Sequence, residues 1–418
     1  MRNAGNKQRL PGLYALVAVC SVALSVAGGV VAQACPICGE PTVTLTERLA
    51  RADVALLAQW VSLQPGQGKK PATTTYDIVQ VQRDTLSQFK SGADVTIEHF
   101  TQGKPGDLFL LMGQKLETGD VKWETGPALP VTETCFQYII QAPTPETPAE
   151  KRLGYFIKFL EFPDSTIAND AFAQFVNSPT KDIFAVAGQL PREKLRRWLA
   201  DPKTPGNRRS GYGLMLGLSG NADDAKFLAE VIRATDPDNS IGVEGLTFGY
   251  LLLSGEEGLS VIEQERIADE KLADGEVWAS ALAIRYFWSY GNGKIRPARL
   301  QAAMRRLLER PALAEIAITD LARWKDWSLL ERLMDLYQGE AKSDKNLKAA
   351  IIHYMIACTK DIPKAPESSP DNAAQKAAVP PPKHVATARR NLEELKKRDP
   401  ELVERGEKFF YLKSSPTQ

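Results

Sequence analysis

Five turn signals recur at a nearly constant interval in the second half of this chain. Gly220, Gly255, Gly291, Asp326 and Asp361 are separated by 35, 36, 35 and 35 residues. Apolar helix ends precede four of them: Leu214-Met215-Leu216-Gly217-Leu218, Tyr250-Leu251-Leu252-Leu253, Tyr286-Phe287-Trp288, and Ile318 with Leu321-Ala322. Further helical patterns follow the first, second and fourth, in Phe227-Leu228, Val261-Ile262 and Leu329-Leu330-x-Arg332-Leu333. A helix pair of this length has one apolar face too many to bury alone, so neighbouring pairs must stack. Residues 150–361 therefore predict an α-helical solenoid, with an irregular helical bundle as the other arrangement. The reading places Leu228, Leu252, Leu282 and Leu333 inside and Arg209, Glu257 and Arg306 outside.

Residues 35–145 follow a different period. A short amphipathic helix is expected over Thr44–Ala52. Five strands are expected at Val54–Leu63, Thr73–Arg83, Ala93–His99, Leu108–Gln114 and Val121–Glu124. Ala93, Val95 and Ile97 share one face, with Asp94, Thr96 and Glu98 opposite, the alternation of a half-buried strand. Pro65-Gly66-Gln67-Gly68 and Gly103-Lys104-Pro105-Gly106 mark turns. Five strands without intervening helices suit a small closed barrel. The fold class is thus α+β and multidomain, a small N-terminal β-barrel followed by a helical solenoid.

The start of the chain carries an address. Arg2, Lys7 and Arg9 precede an apolar run from Leu13 to Val31, closed by Ala32-Gln33-Ala34 and then Cys35-Pro36-Ile37-Cys38-Gly39. Small residues one and three positions before a cut suit signal peptidase, so residues 1–34 read as a signal peptide cleaved between Ala34 and Cys35. The mature protein is then periplasmic or extracellular. The run is long enough to span a bilayer. The protein would be membrane-bound only if the signal stayed uncleaved or Cys35 were lipidated, and Ala32 stands where lipid-modifying peptidases favour Leu.

An oxidising compartment gives the cysteines a role. Cys358 lies on an apolar helix face with Ile351, Ile352, Tyr354 and Met355 and is expected to be a free, buried thiol. Cys35, Cys38 and Cys135 remain as the disulfide candidates: Cys35 and Cys38 compete for Cys135 or pair with each other, and a bond from Cys135 to one of them is the expected outcome. Zinc would need a second knuckle, and His99, His353 and His384 are scattered. Haem attachment would need His where Gly39 stands. No metal ligand, catalytic residue or cofactor is implied.

The Cys-x-x-Cys start, the short helix and Ala52-Asp53-Val54-Ala55-Leu56-Leu57-Ala58-Gln59-Trp60-Val61 resemble the opening of netrin-like domains. That family includes the tissue inhibitors of metalloproteinases and is built on an OB barrel. Gly106-Asp107-Leu108-Phe109-Leu110-Leu111-Met112-Gly113, followed by Cys135, resembles its last strands and closing cysteine. The inhibitors begin Cys-x-Cys and grip a catalytic metal through the first cysteine's amine and carbonyl; here the spacing is longer and contains Pro36. The turn interval resembles HEAT-like repeats. The whole resembles exported bacterial proteins of planctomycete type that start Cys-Pro-x-Cys and continue into helical repeats.

Residues 362–383 carry six prolines, a composition that cannot offset ordering entropy, so they read as a linker before a C-terminal helix over 384–410. Without residues 1–34 the charged residues number 49 basic and 51 acidic, which gives no excess for nucleic acid or an anionic membrane. Arg196-Arg197, Arg305-Arg306 and Arg389-Arg390 read as solvated helix faces. Trp278, Tyr286, Trp288, Trp324 and Trp327 read as helix packing rather than a sugar site. No nucleophile elbow or phosphate loop is present. The chain reads as a non-catalytic binding or scaffold protein with a protein partner. The alternatives are a protease inhibitor acting through a freed Cys35, or a thiol redox protein using Cys35 and Cys38.

Overall fold

Strands β1 (Val54–Gln64), β2 (Thr73–Asp84), β3 (Asp94–Ile97), β4 (Leu108–Lys115) and β5 (Val121–Trp123) form an antiparallel sheet in the order β3-β2-β1-β4-β5. A sixth strand, β6 (Leu129–Pro130), also pairs with β4. The structure is a computed structural model describing residues 35, 38–124, 128–235, 240–339, 341, 344–362 and 381–410. The signal call, its Ala34 included, and most of the linker call lie outside these residues.

Both faces of the sheet are buried, which explains why β1 and β4 read as continuous apolar runs rather than clean alternation. Val54, Leu56 and Ala58 join Tyr76, Ile78, Val95, Ile97, Phe109 and Leu111 in a core of the sheet's own. Ala55, Leu57, Leu110 and Met112 turn the other way, into a second core that runs on through the helices to Val403. Register shifts interrupt the β1–β2 ladder at three places, and such bulges increase local twist. Beyond β3, Thr101 bridges the sheet ends. Its N–H donates to the Thr74 hydroxyl at 3.1 Å, its hydroxyl accepts from the Ala128 N–H at 3.4 Å, and its carbonyl accepts from Trp60 Nε1 at 2.9 Å.

Helix α1 (Leu45–Arg51) precedes the sheet. Thr44 opens it with a capping box, accepting from the Glu47 N–H while the Glu47 carboxylate accepts from the Thr44 N–H. After the sheet come α2 (Glu133–Gln141), α3 (Ala149–Phe156), α4 (Ser165–Val176), α5 (Thr180–Ala185) and α6 (Arg192–Ala200). Strand β6 and α2 both fall in a stretch that period alone leaves unassigned. The helices α7 (Gly206–Ser219), α8 (Ala222–Arg233), α9 (Val243–Ile262), α10 (Asp274–Tyr290) and α11 (Pro297–Arg306) follow. The chain continues through α12 (Pro311–Arg323), α13 (Leu330–Gln338), α14 (Lys345–Thr359), α15 (Lys383–Arg398) and α16 (Pro400–Lys408). Among the described residues no helix is long and apolar enough to cross a membrane.

All five turn positions separate packed helical segments. Gly220 and Gly291 end α7 and α10, Asp326 caps the short turn before α13, and Asp361 follows α14. Gly255 breaks α9 from within at φ 62°, a left-handed value that glycine reaches without strain. Packing both skips and follows the chain: α7 against α9, α10 against α12 and α12 against α14 pass over one helix, while α8 against α9, α9 against α10 and α14 against α15 are consecutive. Leu228, Leu252 and Leu333 are buried and Glu257 is exposed, as the spacing predicts; Leu282, Arg209 and Arg306 are half-buried.

The α7–α9 contact is made backbone to backbone. Ser210, Gly213 and Gly217 face Gly245 and Gly249, and a Cβ added at Gly249 would lie 2.0 Å from the Gly213 carbonyl oxygen. One added at Gly217 would lie 2.3 Å from the Gly249 Cα. Nothing larger than glycine fits these positions without moving a helix.

Candidate functional site

The motif that carries most chemistry, Cys35 with Cys38, is built into the core. The two cysteines form a disulfide with a Cα–Cα distance of 5.4 Å, and both are fully buried. The Cys35 N–H donates to the Val176 carbonyl at 2.9 Å, and the Cys35 carbonyl accepts from the Cys38 N–H at 3.2 Å. The segment that follows is laced to α4. Thr42 and Asn177 exchange two hydrogen bonds, Gln174 Nε2 donates to the Thr46 hydroxyl at 2.8 Å, and the Leu45 N–H donates to Asp170 at 2.6 Å. The other Asp170 oxygen accepts from the Tyr138 hydroxyl at 2.7 Å. Burial raises the Asp170 pKa above the ordinary aspartate value, opposed by those donors.

Cys135 departs from the expected pairing: it is not bonded to Cys35 or Cys38 but is a free thiol, buried in the first turn of α2. Two cysteines three residues apart close on each other through a local turn, and the hydrogen bonds to α4 supply the long-range tie that a Cys135 bridge would have made. Burial pushes the Cys135 thiol up to about 12, and the negative charges of Asp164 and Asp170 add to the effect. Cys358 is also free and buried, pushed to about 12 mainly by burial.

This geometry bears on the chemistry open to the motif. Gripping a metal through Cys35 needs its amine and carbonyl turned outward, and both are used inside the fold. Thiol exchange needs an accessible sulfur, since the attacking thiolate must reach the disulfide, and both cysteines have 0% exposure. Among the described residues no group of three or more His, Cys, Asp or Glu side chains could hold a metal ion.

The arginine pairs are not simply solvated. Arg192 and Arg196 converge on Asp224 at 2.5 and 2.6 Å, and Asp224 is completely buried. Burial by itself raises its pKa, but the hydrogen bonds from both arginines and the Asn221 N–H outweigh it and hold the carboxyl below the ordinary value. Arg285 and Arg323 likewise flank buried Asp320; there burial wins and the pKa is raised. Arg305 meets Asp326 at 2.7 Å, Arg299 meets Glu263, and Arg390 meets Glu331 at 2.7 Å. One arginine of each doublet therefore ties one helix to another. These pairings depend on which helices become neighbours, which no local pattern states.

A second region draws together residues with no sequence signal between them. Arg48 of α1 donates to Glu124, just after β5, with its Nε at 3.2 Å and a closer second bond. Beside this pair, a cleft of about 510 Å³ lies between α1 and the β4–β5 hairpin, its lining including Arg51, Met112, Lys122 and Trp123. A larger cavity of about 1080 Å³ shares Arg48 and is lined also by Phe100, Leu108, Leu129 and Asp164. The only hint in the sequence is the amphipathic turn before the first strand, whose charged face these cavities share.

With this geometry in hand, comparison with known proteins adds no relative: no family model matches the chain and no curated protein is similar to it.

Proposed function

We propose that this is an exported, non-catalytic binding protein that presents a helical-repeat surface to a protein partner, with a netrin-like barrel stapled to its start. The observation that carries the reading is the packing of α7 on α9, α10 on α12 and α12 on α14, each passing over one helix, across turns 35 or 36 residues apart, as stacked, HEAT-like pairs would pack. Charged pairs support it: Arg285–Asp320, Arg299–Glu263 and Lys325–Asp361 join residues 35 to 36 positions apart. The separate inner core of the sheet and the Thr101 bridge support barrel closure. The buried Cys35–Cys38 pair weighs against the inhibitor and redox alternatives, because its reactive atoms already have partners within the fold.

The test has two parts. Intact-mass measurement on the exported protein should give a chain beginning at Cys35; a retained leader makes it membrane-anchored, and an added lipid mass does the same through Cys35. Photo-crosslinkers placed at exposed positions on successive helix pairs should then trap one partner from several adjacent pairs. Crosslinks confined to the Cys35 region, or metalloprotease inhibition by the exported chain, would refute the scaffold reading.

A further inference from the structure

The cleft between α1 and the β4–β5 hairpin has the size and chemistry of a ligand site. Its 510 Å³ falls in the range of roughly 300–1,000 Å³ for small-molecule pockets. Val43, Ala52 and Met112 give it apolar wall, and Arg48, Arg51 and Lys122 give it three cations. Glu124 is the only carboxylate among its described lining residues, and Arg48 holds it. The Arg51 and Lys122 side chains have no hydrogen-bond or ion-pair partner among the described residues. The hairpin behind it is built without slack: a Cβ on Gly113 would lie 2.4 Å from Val121 Cγ1 and 3.1 Å from Trp123 Cε3. The Trp123 indole is therefore held on the inner face of the sheet, edge-on to Phe89, and leaves the opposite face, with Met112 and Lys122, to the cleft.

Two cations without partners on one cleft offer a carboxylate charge-assisted hydrogen bonds, while its body covers the wall. We propose that this cleft binds a small organic carboxylate with an aromatic or branched apolar body. The acid group sits between the Arg51 guanidinium and the Lys122 ammonium, and the body lies on Val43 and Met112. The Arg48–Glu124 pair closes the inner end and turns away a second acid group. This site is independent of the scaffold reading, since it uses none of the helix-pair surface.

The experiment is calorimetric titration of the purified full chain with 4-phenylbutyrate, indole-3-propionate and 4-methylpentanoate, each beside its primary amide. The expected result is binding of at least one acid, none of its amide, and an affinity that falls as salt rises. The Arg51→Ala/Lys122→Ala double variant should bind about tenfold more weakly or worse, and Arg51→Lys should recover part of the loss. Both residues are exposed, so melting temperatures should match the parent and separate lost binding from lost folding. No binding by all three acids, equal binding of acid and amide, or an unchanged double variant would overturn the proposal. So would tight binding of a peptide with a free terminal carboxylate when the small acids fail, which would make the cleft a reader of chain ends.

Discussion

A single methyl group at Gly249 should cost more than its chemistry suggests. In an isolated helix, Gly→Ala is favourable by about 0.8–1.0 kcal/mol. In this protein the new Cβ would stand 2.0 Å from the Gly213 carbonyl oxygen and 2.7 Å from its carbon. Both are backbone atoms, so no rotamer change relieves the clash. Ordinary contact begins near 3.4 Å, so α7 and α9 must part by about 1.4 Å at this level. That opens space beside Tyr212, Leu216, Leu246 and Phe248, all buried near the crossing. Overpacking of a core typically costs about 1–3 kcal/mol, and a clash between two main chains belongs at the upper end. Net of the helix propensity, the expected loss is about 2 kcal/mol, or about 4 °C in melting temperature for a unit of this size. Gly275→Ala is the control, because it lies in the first turn of α10 with nothing within 4 Å of the added Cβ. Differential scanning calorimetry should show Gly249→Ala melting lower and Gly275→Ala melting at or above the parent. Equal behaviour of the two variants would refute the backbone-contact argument.

Three further outcomes are expected. Peptide mapping without reductant should link Cys35 to Cys38, and iodoacetamide at pH 8 should spare Cys135 and Cys358 in the folded protein, both thiols being pushed to about 12, and label them once it is unfolded. Asp224→Asn should destabilise at pH 7 by about 3 kcal/mol, because two arginines lose a buried partner. The folded Asp224 pKa lies below the ordinary value near 3.9, so its contribution is present above about pH 4 and fades as pH falls through the folded pKa. Urea melts at pH 7 and pH 3 should therefore show the gap between parent and variant closing in acid, and a constant gap would count against the ion pair. Leu228→Ala should cost about 2–5 kcal/mol while Glu257→Ala stays within about 0.5, read by the same melts.

Much of the secondary structure was legible because it is written locally. The alternation of Val95 and Ile97 with Thr96 marks β3, Thr44 and Glu47 announce α1, and the turns at Gly220, Gly255 and Gly291 follow from residue type and interval. Neighbour choice was not legible. Arg196 has the composition of a solvated face, and only the approach of α6 to α8 gives it buried Asp224 as a partner. Cys135 follows the sheet as a closing cysteine would, yet its environment is the packed first turn of α2, which strand alternation does not foretell. Leu282 sits at helical spacing with core residues but on the flank of α10. The Arg48–Glu124 cleft joins positions 76 residues apart, whose charges carry no label saying that they meet. The glycine contact had a trace: Ser210, Gly213 and Gly217 repeat the 3-and-4 spacing of Gly242, Gly245 and Gly249.

The hydrogen bonds that fix the segment from Cys35 to Thr46 also set an order of assembly. Cys35, Thr42, Leu45 and Thr46 find their partners on Val176, Asn177, Asp170 and Gln174. As the chain is made from its N-terminal end, those partners emerge well over a hundred residues after the groups that need them. The leading end must therefore wait, unanchored, while the sheet and α2 to α4 arrive behind it. Any shortened chain that stops before α4 would leave these amides and hydroxyls with water as their only company.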